Sequence, residues 1–578
     1  MSQWILYHLI TLSNPKKPTK LQQLTQMAYS ALEAFGHAKT DVHDNASRFG
    51  KYLELQFNEK GRMIGAKFSE YMLERSRITQ TNGDDRCFHV FYYMLYGTTQ
   101  EEKSLLHLDE SASYDYLFKA REAARFASSF IDQDAEKYNE LRTLLRSLGI
   151  NKNTFFQIMQ ILSAILHLGN LQFVDDPTNE QDSAIIKNKL ELEIIADLLG
   201  VEIKSLETCL TYQTKLIKRD LTTIFLNAEQ AALQRDALAE TLYTLLFAWL
   251  VETINKRLNM KKSDSLQNFI GIIDFPGPAP IQTGSYHQFS TLYANEVLYN
   301  WMMHQLHERN IDVYSALNLT IPTLSNTQMD ECVELLNHPQ TGIVTLLSNQ
   351  APSQGRFLDT LKQTYRKHPC LSFKSGDKGT QFAIQHFTGR VFYSPSELET
   401  YANEAVCTDF VLLFGPKAAE APTNRLVSKL FSQKIIENTA FAEERTLATT
   451  TETPIKRPLR IDSILSTLSS TKAWYVLCLR SNDLLLPHSC DPKKLAAQIK
   501  SLHLLPLVIR ARLEYTIDMD LLEFCERYTD LIHTTTVDLA AEPKEKYLAL
   551  QEALEWNEDN MLLNEEKVVV TKPVYMYA

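Results

Sequence analysis

The sequence predicts a mixed α/β fold in which helices dominate, and three patterns carry that expectation. Between Asn227 and Leu258 the residues Leu238, Leu242, Leu245, Trp249 and Leu250 recur at spacings of three and four, the period of a helix with a buried face. The run FIGIID, residues 269–274, is apolar without alternation, as in a strand covered on both faces. Residues 381–387 alternate instead, with 391–393 behind them, which is the pattern of half-buried strands.

Taken in chain order, the opening MSQWILYHLITLSNPKK is interrupted by Gln3 and His8, and its basic residues follow the apolar stretch. It fits neither a signal peptide nor a membrane span, and elsewhere the apolar stretches fall short of roughly 18 uninterrupted residues. Residues 52–57 read as a strand and 155–167 as a buried helix, closed at Gly169 by a left-handed residue. Asn227, with Gln230 three positions on, forms a capping box at the start of the long helix. The run FIGIID delivers Asp274 to a strand end, where open α/β sheets bind ligands. On that feature alone, an aspartate capping the next turn is the simpler reading. Residues 418–459, rich in Thr, Ala, Glu and Pro, read as a long surface loop. At its end sit Lys456, Arg457 and Arg460, a cluster whose weight depends on its context. Residues 474–479 read as a further strand.

Composition bounds the function. A chain of 578 residues with 44% hydrophobic content buries several domain-sized cores. Its 59 Lys+Arg against 70 Asp+Glu give a formal charge of -11, which argues against a nucleic-acid partner. The eight cysteines are dispersed without CxxC pairing, as expected of reduced thiols in a cytosolic protein.

The segment LEAFGHAKTDVHDNASRFGK, residues 32–51, resembles the myosin signature that ends in switch I. The resemblance continues through YMLERSR (71–77), FHVFYYMLYG (88–97), ILSAILHLGNLQF (161–173) and the long-helix segment 226–255. YANEVLYNWMMHQ (293–305) resembles the relay helix, FAIQHFTGRVFY (382–393) the strand pair of the actin cleft, and WYVLCLRSND (474–483) the strand before the reactive-thiol helices. Together they cover nearly the whole chain in the order of the myosin motor domain. The implied fold is a myosin-motor-like P-loop NTPase fold, N-terminally truncated.

That resemblance implies a nucleotide site assembled from three loops, each with its own physical demand. The P-loop GxxxxGK[ST] cradles phosphates on backbone N–H groups, and it is not found in this sequence. WILYHLITLS, residues 4–13, resembles the helix that follows it, so the loop is either lost or encoded upstream. In switch I, Ser47 occupies the place of the magnesium-ligating hydroxyl and Arg48 follows it. His43 replaces an expected asparagine and Ala46 an expected serine. Switch II keeps Asp274 and Gly277 but carries Ala279 where the family has the carboxylate that pairs with the switch I arginine and positions water. Arg48 therefore has no partner at that position, and hydrolysis loses its water-positioning group. Pro276, Pro278 and Pro280 stiffen the loop by fixing φ.

The expectation is a pseudo-motor, an actin-filament-associated binding or scaffold protein with weak or absent ATPase, cytoplasmic and on the actin cytoskeleton. Asn45, Ser47, Arg48, Asp274 and Gly277 form its vestigial nucleotide set, with Ser47 the vestigial magnesium ligand. No cofactor is expected unless a P-loop lies upstream, in which case Mg-ATP is. The enzyme-class rival is an actin-based, ATP-hydrolysing motor whose P-loop segment precedes Met1, and a third reading is a product that does not fold stably. Lys456, Arg457 and Arg460 are placed facing actin. The implied parts are 1–40, the helix after the P-loop; 41–275, the upper cleft; 276–510, the lower cleft with relay helix; and 511–578, a converter remnant. Pivot glycines of the family are replaced by His503 and Leu507, a stiffer joint, and no IQ-type light-chain helix follows.

Overall fold

The capping box at Asn227 starts a helix that organises the largest core. Its side chain accepts the N–H of Gln230 at 2.9 Å, and the Gln230 amide returns to the Asn227 N–H at 3.2 Å. The helix runs Ala228–Leu258 and is apolar on almost every side, burying Leu238, Tyr243, Leu245, Phe247 and Leu250. Among the described residues it is long and apolar enough to cross a membrane, yet 83% of that apolar window is buried inside the protein. The computed structural model describes residues 1–578 apart from 15–16, 41–42, 81–84, 110–112, 118–126, 177–182, 218–219, 260–267, 278–282, 309–326, 350–355, 377–378, 403–405, 438, 440–460, 483–485, 487, 506, 509–514, 539, 557–560, 565–566 and 572–578.

Against this helix pack the helices Lys20–Gly36 and Lys152–Asn170 and the strand Met63–Tyr71. That strand belongs to an antiparallel sheet in the order Met63–Tyr71, Gly50–Phe57, Asn268–Asp274. Leu53, Leu55 and Phe57 of the middle strand face the core, while Tyr52, Glu54 and Gln56 between them are half-buried. The register sets Lys51 opposite Asp274.

The second body is a four-stranded sheet in the order Thr283–Gly284, Gly389–Tyr393, Gly379–His386, Leu371–Gly376. The helices Tyr286–Glu308 and Thr327–Asn337 cover it through Phe289, Leu292, Leu335, Phe382 and Ile384. A third core gathers Phe524, Tyr528, Tyr547 and Leu550 beside the sheet of Tyr515–Asp520, Lys567–Thr571 and Met561–Asn564.

Four expectations change. The FIGIID strand is not covered on both faces: Phe269 is 37% and Ile270 40% exposed, and only Ile272 is buried. Among the described residues it has one neighbouring strand, so an apolar run does not guarantee two covered faces. Gly169 does not close its helix in a left-handed turn; it lies inside Lys152–Asn170, where a Cβ would come 2.8 Å from the Tyr116 ring. Its smallness serves close packing instead of turning. Residues 474–479 form no strand, and Trp474 is 82% exposed. The expected surface loop 418–459 divides: Arg425–Leu430 is a helix that buries Leu426, Val427 and Leu430 in the largest core, while 440–460, with Lys456, Arg457 and Arg460, fall outside the described residues.

Candidate functional site

Two short strands, His37–Ala38 and Ala46–Ser47, pair antiparallel. Asn45 is exposed as a residue, but its carbonyl oxygen is taken by two rings, His37 Nδ1 at 3.0 Å and His89 Nε2 at 3.1 Å. Both nitrogens must carry the proton to bond a carbonyl. Burial pushes His37 well below the usual histidine range, helped by the nearby Lys51 charge, and burial brings His89 down to about 4. The Ser47 hydroxyl donates to the carbonyl of Phe49 at 3.0 Å, within its own turn.

Arg48 finds a carboxylate that the sequence reading did not assign. Its Nε donates to Glu74 Oε2 at 2.5 Å, and Arg77 Nε meets the same oxygen at 2.6 Å. Arg77 also binds Asp85 at 3.0 Å and the carbonyl of Arg86 at 3.0 Å. Burial alone pushes the Glu74 carboxyl up, but Arg48, the adjacent His287 and Arg77 outweigh it and hold Glu74 well below the usual carboxylate range. His287, packed near them, is brought by burial to about 4.

Asp274 is likewise satisfied from within the chain. Ser2, at the start of the helix Ser2–Ser13, donates its hydroxyl to Asp274 Oδ2 at 2.6 Å, and the Tyr29 hydroxyl stands 3.5 Å from the same oxygen. Lys51 Nζ approaches Asp274 at 3.7 Å, an ion pair too long to be a hydrogen bond. The lysine is nearly inaccessible, its ammonium 3.7 Å from the centre of the Tyr29 ring. Burial lowers its affinity for the proton, opposed by Asp274 and Glu33.

After Asp274, the Phe275 ring lies so close over Gly50 that a Cβ there would be 2.6 Å away. The Pro276 carbonyl accepts Asn295 Nδ2 at 2.9 Å, which ties the loop to the helix Tyr286–Glu308. Gly277 is exposed, with open space where a Cβ would stand. Pro278, Ala279 and Pro280 lie outside the described residues. His503 has φ 45, so a residue with a Cβ occupies the left-handed region where glycine is at ease.

The candidate residues thus divide into an Arg48–Glu74–Arg77 cluster and an Asp274–Ser2–Tyr29–Lys51 cluster, linked by the three-residue step from Arg48 to Lys51. Glu74 and Arg77 stand in the YMLERSR segment, and the signal for them is an acid followed by two arginines. For Ser2 no sequence signal existed, because 272 residues separate it from Asp274. As arranged, hydroxyl, guanidinium and carboxylate each face a protein partner.

The profile of the myosin head (motor domain) family matches residues 2–571. Chitin synthase 8 of Mycosarcoma maydis is 30% identical over 97% of this chain and 32% of its own length. The myosin-I heavy chain of Dictyostelium discoideum is 30% identical over 91% of this chain and 22% of its own. Human unconventional myosin-Id is 28% identical over 91% of this chain and 52% of its own, so the chain spans about half or less of these relatives.

Proposed function

The chain belongs to the myosin motor-domain family, and from that premise we propose that it is an actin-filament-associated binding or scaffold unit whose hydrolytic chemistry is weak or absent. One observation carries this reading: Arg48, Ser47 and Asp274, which the family turns toward nucleotide, magnesium and water, are engaged by Glu74, by the Phe49 carbonyl and by Ser2 with Lys51. Freeing Arg48 takes one of two guanidiniums from the buried Glu74 carboxylate, which then keeps Arg77 alone. Ala279 supports the same conclusion from the sequence, since no carboxylate stands where attacking water is oriented.

The parts proposed are an upper cleft region (41–275), a lower cleft region (276–510) that ends in a stiffened joint at His503 and Leu507, and residues 511–578 as a converter-like segment. The proposed setting is the cytoplasmic actin cytoskeleton. Phosphate release with Mg-ATP and actin filaments tests the reading. No actin-stimulated release is expected, and Ala279→Glu alone is expected not to restore it, because Arg48 remains with Glu74. Stimulated release by the unmodified chain overturns the proposal in favour of a working motor. A second reading has one observation in its favour: the chitin synthases align over more of this chain than the myosins do. In that reading the chain is the filament-binding part of a polysaccharide-synthesising assembly.

A further inference from the structure

Away from the clusters around Arg48 and Asp274, three side chains from three elements meet in the second body. Glu296 comes from the helix Tyr286–Glu308, Cys332 from the helix Thr327–Asn337, and His386 from the end of the strand Gly379–His386. Glu296 and His386 have fully buried side chains, and Cys332 is 1% exposed. One ligand atom from each lies within 4.8 Å of the other two.

The hydrogen bonds around the cluster leave an unfilled place. Glu296 Oε1 accepts the N–H of Phe387 at 2.8 Å and faces His386 Nδ1 at 3.2 Å, whereas no hydrogen bond of ordinary geometry reaches the buried Oε2, and the Cys332 thiol lies beside this carboxylate and beside the Cys370 thiol. An enclosed carboxylate oxygen without a donor or a cation is unfavourable. His386 Nε2 stands 3.0 Å from the Tyr393 hydroxyl. When Nε2–H donates to Tyr393, Nδ1 turns its lone pair toward the Glu296 carboxylate. An oxygen partner on the far ring nitrogen is the device that fixes tautomer and ring direction in metal-binding histidines.

We propose that Glu296, Cys332 and His386 form a site for a borderline-soft divalent cation of the Zn2+ class. Thiolate, imidazole and carboxylate together suit that class, whereas Mg2+ and Ca2+ prefer oxygen alone. Ligand distances of about 2.0–2.3 Å require the three atoms to draw closer by roughly 1 Å. The cation takes the place of the Cys332 thiol proton, which leaves to solvent, and it completes Glu296 Oε2. The fourth position opens on a cavity of about 320 Å³ that His503 and Gln385 also line. An ion there pins the helix after the Asp274 loop to the neighbouring helix and strand, facing the joint where His503 is left-handed. This holds whether or not the chain binds nucleotide.

The test is a Co2+ titration of the metal-stripped full chain, with Zn2+ as competitor. One equivalent of Co2+ is expected to give tetrahedral visible bands and a near-ultraviolet thiolate charge-transfer band, both removed by Zn2+. Cys332→Ser is expected to abolish the thiolate band. The exposed Cys478 and Cys490 can be changed to Ser together without affecting it. Tyr393→Phe is expected to weaken Co2+ binding about ten- to a hundredfold, the usual effect of removing an outer partner. Far-UV circular dichroism checks folding; if Cys332→Ser does not fold, Glu296→Gln carries the test with an expected loss of at least about tenfold. A folded unmodified chain without the thiolate band overturns the proposal, as does a band that persists in folded Cys332→Ser or an affinity unchanged in Glu296→Gln.

Discussion

At the scale of single residues, Glu74 is the group on which the Arg48 cluster depends. It is 9% exposed on its side chain and holds two guanidiniums that otherwise face each other. Glu74→Gln keeps the shape and removes the charge, and it is expected to lower unfolding stability by about 3 kcal/mol, as for other broken buried ion pairs. A urea midpoint lowered with an unchanged slope checks this; an unchanged midpoint sinks the claim that the pair is structural. The buried histidines add a pH effect. His89 and His287 have folded values of about 4, below the ordinary histidine value, so the unfolded chain takes up protons first. Their contribution is complete above about pH 6.5 and is lost as pH falls toward about 4, by at most about 1.4 kcal/mol per unit for each. Denaturant stability measured across that window is expected to decline with falling pH, and less steeply in His89→Gln. Equal slopes in the two proteins contradict the assignment.

At the scale of elements, legibility followed locality. The capping box at Asn227 was readable because donor and acceptor are three residues apart and nothing else is needed to form it. The hairpin Gly379–His386 and Gly389–Tyr393 was readable because alternation reports which face is buried. What failed was context. An apolar run does not say how many strands lie beside it, as Phe269 and Ile270 demonstrate. A glycine near a helix end does not say whether it turns the chain or admits a neighbour, as Gly169 demonstrates. The partners that Arg48 and Asp274 find, Glu74, Ser2 and Lys51, are set by tertiary packing, and their pairing left no local signal. Gly97 offers a test of close approach: a Cβ there would stand 2.2 Å from Tyr138 Cβ on the facing helix Ala127–Ser147. Gly97→Ala is expected to destabilise by about 1–3 kcal/mol through overpacking, outweighing the roughly 1 kcal/mol of added helix propensity. A thermal midpoint equal to or above that of the unmodified chain contradicts this packing.

At the scale of the whole molecule, contacts among the described residues run from the largest core to the second. The Asp274 strand belongs to the first sheet, Asn295 grips the carbonyl of Pro276, and Glu296 beside it reaches the Cys332–His386 cluster. Arg48 and Asp274, at the start of this run of contacts, are held by partners within the chain. The central claim is therefore filament association without nucleotide control. Cosedimentation of the purified chain with actin filaments, with and without Mg-ATP, tests it most directly. The chain is expected to pellet with actin to the same extent in both conditions. Release by Mg-ATP, or failure to pellet in either, contradicts it.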